Sequence, residues 1–269
     1  MVREEFLILD CMPIITLTSD WGLRDYFLAV ARGKIMSRLP GATVIDISHE
    51  ISPFNLMQAS FIVRNAYPHY PAGTVHILFL LDEETERTPH LAIRYGDQYF
   101  IGADNGIFSL IFDRPPDALV RLTDGEEAGR LIVPARDRFV SAAVKLATGH
   151  DLAQLGEPVT GWNEQLHFQP VVSGDVIRGV VIYLNRYENA VTNITRELFD
   201  KVSQGRRFII EFRGETIHQI NAAYGNVPVG EITAIFGSTG HLEIAINQGN
   251  AGSLLGLEVN DPVRVEFHG

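Results

Sequence analysis

Short apolar runs alternate with stretches of helical spacing over the first half of the chain. Residues 14–18 (IITLT) have the length and composition of a strand. Behind them Leu23, Phe27, Val30, Ala31, Ile35 and Leu39 recur every three or four residues, which predicts a helix from about Gly22 that Pro40-Gly41 ends. Residues 42–47 (ATVIDI) predict a second strand, residues 56–66 a helix that stops before Pro68, and residues 74–81 (TVHILFLL) a third strand, apolar almost throughout. Strand, helix, strand, helix, strand in quick succession predicts a largely parallel sheet covered by helices. Two short strands follow (HLAIRY and QYFIGA), then helices over about 107–112 and 137–147, ended by Pro115-Pro116 and Gly149.

The texture changes at residues 158–170, a stretch with prolines, glycine and polar residues that reads as a linker. Beyond it come VIRGVVIYL, RRFIIEF, EITAIF, HLEIAI and PVRVEF, short β-branched segments separated by turns. They predict a second, all-β, barrel-like domain. The expected division is an α/β domain over 12–160 and a β-barrel domain over 171–269.

Composition narrows the partners. The chain has 269 residues and a formal net charge of -11, with no cluster of Lys or Arg, so its field repels nucleic acid and anionic membranes and favours cationic or zwitterionic small molecules. Only 20% of residues are charged, which argues that partner subunits cover part of the surface. Cys11 is the single cysteine, so intrachain disulfides and cysteine-built zinc sites are excluded and the cytoplasm is the expected compartment. The opening MVREEFLILDCMP makes a poor signal peptide, and the longest apolar runs are too short to span a bilayer. The histidines show no metal-binding spacing, and no dinucleotide, P-loop or nucleophile-elbow motif is present.

Three carboxylates stand just beyond predicted strands: Asp20, Asp82 and Asp104. Ligands of open α/β sheets bind at that edge, and a carboxylate there can accept from both hydroxyls of a ribose. Each also has a plainer reading: Asp20 as a helix cap, Asp82 as part of a solvated acidic loop (DEETER), Asp104-Asn105-Gly106 as a turn. The segment LNRYENAVTNI offers Asn185 and Asn189 either to a polar ligand or to Asx turns of a hairpin. The glycine-rich FGSTGHLEIAINQGNAGSLLG suits either the close approach of backbone to a flat ring or tight turns between barrel strands.

Taken together, ITLTSDWG, VIDISHEI, RNAYPHYPAGTVH, YFIGADNGIFSL, NAVTNI and GSTGHLEIAINQGNAGSLLGL resemble, in order and over nearly the whole chain, the S-adenosyl-L-methionine hydroxide adenosyltransferases, relatives of the fluorinating and chlorinating enzymes. The resemblance implies an α/β domain followed by a β-barrel, a homotrimer with sites between subunits, S-adenosyl-L-methionine as the ligand, no separate cofactor, and hydrolysis to adenosine and methionine by attack at ribose C5′. It implies that Asp20 holds the ribose hydroxyls, Phe54 lines the sugar pocket and Tyr224 stacks on adenine. Asn189, Ser238, Asn250 and Ala251 would read the adenine edge and the methionine end.

The chain also departs from that pattern. Where the family shows Asp-Pro-Gly-Val-Gly after the third strand, this chain has DEETER, keeping Asp82 alone. The family's catalytic arginine falls at Pro89, with Arg87 the nearby candidate and His90 another, and the family histidine falls at Pro134 of PARD. The family's DRFGN reads NRYEN, so that Asn185 replaces the aspartate that meets the methionine ammonium. A binding protein without turnover, or an enzyme using another nucleophile, is therefore an open alternative at this stage.

Overall fold

The computed structural model describes residues 12–123, 134–166 and 169–268; Cys11, most of the opening segment and His167 lie outside them. The chain divides into two compact units that meet between Gln165 and Leu166.

The first unit is built on β1 (Ile14–Ser19), α1 (Phe27–Arg38), β2 (Thr43–Ser48), α2 (Leu56–Ala66), β3 (Val75–Phe79), β4 (His90–Tyr95), β5 (Gln98–Ala103), α3 (Ile107–Ile111), β6 (Ala118–Leu122), α4 (Pro134–Ala147) and β7 (Gly156–Pro158). The sheet order is β2-β1-β3-β5-β4-β6-β7. The first four of these strands are mutually parallel, and β4, β6 and β7 extend the sheet antiparallel. The all-apolar β3 is explained by its two covered faces. Ile77 and Phe79 pack with residues of α1 and α4 on one side, while Leu78 packs with those of α2 and α3 on the other.

Because β4 pairs with β5 and not with β3, the connection over residues 80–89 passes across the carboxyl end of β5, and His90 lands opposite Ala103. Helix α1 begins at Phe27, later than its apolar spacing predicts, because Leu23 is exposed and the preceding residues form bends. The predicted linker is anchored over its first half. Trp162 stacks on Phe112 at 5.9 Å, the Asn163 N–H donates to the Asp104 carboxylate, and the Gln165 N–H donates to Ser109 Oγ.

The second unit contains β8 (Val171–Ser173), β9 (Val176–Leu184), β10 (Ala190–Thr195), α5 (Arg196–Ser203), β11 (Arg207–Phe212), β12 (Glu215–Ile217), β13 (Ile220–Asn221), β14 (Ile232–Phe236), β15 (His241–Ile246), α6 (Ala251–Leu255) and β16 (Pro262–His268). The strands run β12-β11-β16-β9-β10-β15-β14-β13, with β8 added to β9, antiparallel except for the β13–β14 pair. The sheet curls until β12 lies near β14, a nearly closed barrel. Alternate residues such as Ile177, Val181, Leu242, Ile244, Val263 and Val265 fill its core, the period-two pattern of a strand with one inward face. Helix α5 is capped by Thr195, whose hydroxyl accepts from the Leu198 N–H at 3.2 Å.

Candidate active site

At the carboxyl edge of β1, β3 and β5 the first unit opens into a cavity of about 530 Å³ lined by Asp20, Trp21, Phe54, Phe79, Leu81, Asp82, Glu83, Thr85, Thr88 and Asn105. Asp20, Phe54 and Asp82, chosen from sequence, thus share one cavity. Asp20 is no helix cap: Tyr26 occupies the cap position of α1, and Asp20 Oδ2 instead accepts from the Phe54 N–H at 2.8 Å.

That bond holds Phe54 at φ 66°, with its side chain 71% exposed. Leu81, also lining the cavity, sits at φ 42°. A left-handed backbone costs a residue with a side chain roughly 1–2 kcal/mol, and such strain gathers at ligand sites. Trp21 completes the apolar wall by stacking on Phe79 at 4.5 Å.

The Asp20 loop is fixed from behind. Ser19 Oγ lies 2.6 Å from His49 Nδ1, and the His49 carbonyl accepts from the Gly22 N–H at 2.8 Å. Burial, helped by the charge of Arg32, lowers the His49 pKa to about 4. The ring is therefore neutral at neutral pH, and its 3.1 Å approach to Asp46, off the hydrogen-bonding direction, is not an ion pair.

Asp82 is the chemically distinctive group. Burial raises its pKa, the nearby Asp20 charge adds to the rise, and its own backbone N–H opposes it. A carboxylate so placed is a stronger base than one in water. The DEETER segment around it is not a loose acidic loop. Thr85 and Thr88 hydroxyls meet at 2.7 Å, Thr88 Oγ1 donates to the Glu83 carbonyl, and Asn163 Nδ2 donates to the Arg87 carbonyl at 2.6 Å.

Two residues named from sequence stand apart from this cavity. Arg87 is exposed and is not among the residues lining the cavity; its N–H donates to Thr85 Oγ1 and its carbonyl accepts from Asn163 Nδ2. Asp104, grouped with the other strand-exit carboxylates by sequence, is a structural anchor whose two oxygens both accept from the Asn163 N–H at 2.9 and 3.0 Å.

The second unit has its own cavity, about 720 Å³, where the β9–β10 hairpin, the β14–β15 hairpin and the turn before α6 converge. Asn185, Asn189, Tyr224, Ser238 and Asn250 all line it, with Tyr187, Glu243 and Asn247. Ala251 does not, being fully buried at the start of α6. Asn185 is also not poised to accept from an ammonium. Its Oδ1 is used by the N–H groups of Tyr187 and Asn189 at 2.9 and 3.1 Å, an Asx turn that shapes the hairpin.

In the same hairpin Glu188 takes the place of the glycine in the resembled pattern and adopts φ 60°. Its carboxylate accepts from the Ser253 N–H at 2.8 Å, which ties the hairpin to α6.

Glu243 was missed by sequence reasoning. It is 6% exposed, and its Oε2 accepts from the Tyr224 hydroxyl at 2.8 Å. Burial, followed by that bond and the Glu243 charge, pushes the Tyr224 pKa up to about 12, so the phenol remains a donor. Gly237 makes room for this carboxylate, since a Cβ there would fall 1.8 Å from Glu243 Oε1. The available signal was an acidic residue inside HLEIAI, a strand otherwise filled with core side chains. Trp21, Leu81, Thr85 and Thr88 were also missed, because the loops that carry them have no periodicity.

Among the described residues no group of three or more His, Cys, Asp or Glu is arranged to hold a metal ion, and no helix is long and apolar enough to cross a membrane.

Comparison with known proteins extends both halves of this picture. The SAM hydroxide adenosyltransferase N-terminal domain matches residues 15–156, and the C-terminal domain of the same family matches residues 179–264. An (R)-S-adenosyl-L-methionine hydrolase of Thermus thermophilus is 30% identical over 94% of this chain and 100% of its own length. A fluorinase of Nocardia brasiliensis is 22% identical over 94% of this chain and 97% of its own. The crystal structure of an uncharacterized conserved protein from Thermotoga maritima superposes with a TM-score of 0.85 at 27% identity, covering 94% of this chain and 99% of that one. With each of its two units matched by the corresponding domain, this chain belongs to the SAM hydroxide adenosyltransferase family.

Proposed function

We propose that this protein hydrolyses S-adenosyl-L-methionine to adenosine and L-methionine by attack of water or hydroxide at ribose C5′. The observation that carries the reading is the pair of carboxylates in one cavity. Asp20 is held by a backbone N–H, and Asp82 is buried with a raised pKa. Environments that set two carboxylates apart in this way assign them different tasks. Asp20 grips the ribose hydroxyls, and Asp82 orients the attacking water and takes its proton.

The leaving sulfonium departs as a neutral thioether, so no general acid and no cofactor are required. Attack of hydroxide on a sulfonium annihilates charge, and the apolar wall of Trp21, Phe54 and Phe79 favours it by excluding water. In the second unit Tyr224, Asn189 and Ser238 recognise the adenine end. The hydrolase relatives are named for the R form of S-adenosyl-L-methionine, and we extend that preference to this chain. Its assembly is a homotrimer, each site joining the first-unit cavity of one subunit to the second-unit cavity of a neighbour. The acidic surface and single cysteine suit the cytoplasm.

Incubation with the R and S sulfonium epimers separately, followed by chromatography for adenosine and methionine, tests the reaction. Product from the R epimer is expected, and none above the uncatalysed control from either epimer overturns the reading. Co-expressed Asp20→Ala and Tyr224→Ala subunits regain activity if sites form between subunits, and stay inactive if they do not.

A second reading, a protein that binds the adenosyl ligand without turnover, draws on Arg87 lying outside the cavity and on the committed oxygen of Asn185. Calorimetric binding with no product supports it. Halide as nucleophile is disfavoured, because Asp20, Asp82 and Glu83 line the same cavity and repel an entering anion, whereas water enters neutral and gives up its proton to Asp82 in place.

A further inference from the structure

Two of the three segments in which this chain leaves its family's pattern, DEETER and PARD with the arginine that follows, reach each other in space. Arg138 of α4 is 9% exposed, and its guanidinium donates through Nη1 to Glu84 Oε2 at 2.6 Å and to His90 Nδ1 at 2.8 Å. His90, with no exposed surface, also lies with Nε2 2.8 Å from the Asp82 carbonyl. These two partners select a tautomer for the ring. A guanidinium only donates and a carbonyl only accepts, so His90 is the neutral ring protonated on Nε2.

The chain therefore runs Glu84, Arg138, His90, Asp82, and both ends lie in the same short loop. Its middle is anchored to rigid structure. Phe139, next to Arg138, stacks on Phe79 at 5.7 Å and meets the His90 ring edge-on at 4.6 Å. A buried guanidinium without its partners would be strongly unfavourable, so the bonds hold the loop as much as the loop holds them.

We infer that Arg138, His90 and Glu84 form a clamp that positions Asp82 for the reaction, doing with side chains what a glycine-rich loop does with backbone. None of the three is a catalytic residue. His90 and Arg138 lie behind the cavity and act on it through the Asp82 carbonyl and the course of the loop. Through Glu84 the altered DEETER segment is thus tied to α4 immediately after the altered PARD segment.

The inference rests on the hydrolase reading for its kinetic arm, so the test has a structural arm as well. In Arg138→Ala, kcat is expected to fall about ten-fold or more with KM within about three-fold, the mark of lost alignment with binding retained. Amide hydrogen exchange over residues 82–89 is expected to rise in the same variant. Arg138→Lys keeps the charge and should recover part of both effects, a rescue that loss of packing alone would not give. Glu84→Gln, altered on the exposed side, should move both readouts in the same direction by less, and it carries the test if Arg138→Ala fails to fold. Unchanged exchange over 82–89 in a folded Arg138→Ala overturns the clamp, and raised exchange with unchanged kcat overturns its role in positioning Asp82. If the wild type turns over neither epimer, the hydrolase reading fails on its own, and the exchange arm alone decides the clamp.

Discussion

The two cavities of this molecule differ in the polar groups they carry and in the backbone that carries them. The first-unit cavity is walled by apolar side chains around carboxylates, on a backbone that is left-handed at Phe54 and Leu81. The second-unit cavity is walled mainly by amides, hydroxyls and phenols beside the Glu243 carboxylate, on turns braced by hydrogen bonds at Asn185 and Tyr224. Carboxylates in an apolar, water-poor setting change their proton affinity, whereas amides and phenols in a bonded frame read shape and polarity without titrating near neutral pH. On the proposed function, the contrast separates a place for chemistry from a place for recognition within one chain.

The largest effect should come from Asp82→Asn. Loss of a positioned base lowers kcat by about 10²–10⁴-fold, and adenosine affinity, measured by calorimetry, should not follow it. A parallel loss of affinity would break the division between the two cavities. Asp20→Ala should do the reverse, weakening adenosine binding by roughly 1.5–3 kcal/mol, as expected for hydrogen bonds to a charged group. Tyr224→Phe removes the donor to Glu243 and leaves that carboxylate unsatisfied, a loss of about 1–3 kcal/mol in the second unit. It should raise KM with little change in kcat, and a change confined to kcat would refute a recognition role.

The smallest and most gradual effect is on stability. Burial lowers the pKa of both His49 and His76 from 6.5 to about 4. His76 is enclosed by Thr16, Gln98 and Phe100. The unfolded chain takes up protons at these rings below pH 6.5 while the fold does not. Their contribution is therefore complete above pH 6.5 and lost as pH falls toward about 4, by up to about 1.4 kcal/mol per pH unit for each ring. Asp82 and Asp104, whose folded pKa values are raised, work in the opposite sense and flatten the slope. Both tryptophans, Trp21 and Trp162, lie in the first unit. Denaturant unfolding followed by tryptophan fluorescence therefore reads that unit, and a midpoint independent of pH between 6.5 and 4.5 would contradict the assignment.

Much of the scaffold was legible in sequence because periodicity survives wherever one face is buried. The apolar run of β3 and the helical spacing of α2 gave those elements almost to their ends. The short strands β6 and β7 were missed, since an edge extension needs little pattern of its own. At the site, the motifs brought Asp20, Phe54 and Asp82 to one cavity and Asn189, Tyr224 and Ser238 to another. Loop residues set by topology were not readable. Arg87 was chosen for its nearness in sequence to Pro89, while Arg138, which does reach the loop, lies 56 positions from Asp82 in the chain. Glu243 was hidden because it alternates with the core residues Leu242 and Ile244 and so reads as an outward, solvated position, although it is buried.

The crossing of residues 80–89 over the end of β5 has a consequence for how this site can vary. The path spans two strand spacings, about 10 Å, which three or four extended residues would cover. The connection has ten residues, 80–89, so most of its length is free of any duty to reach. It works as a lintel over the doorway of the sheet: its two ends are fixed by strand pairing, and its span can be recarved where the groups it meets on α4 and β4 are answered in turn. A chain can thus exchange a glycine-built span for a threonine- and glutamate-built one and keep Asp82 at the same jamb.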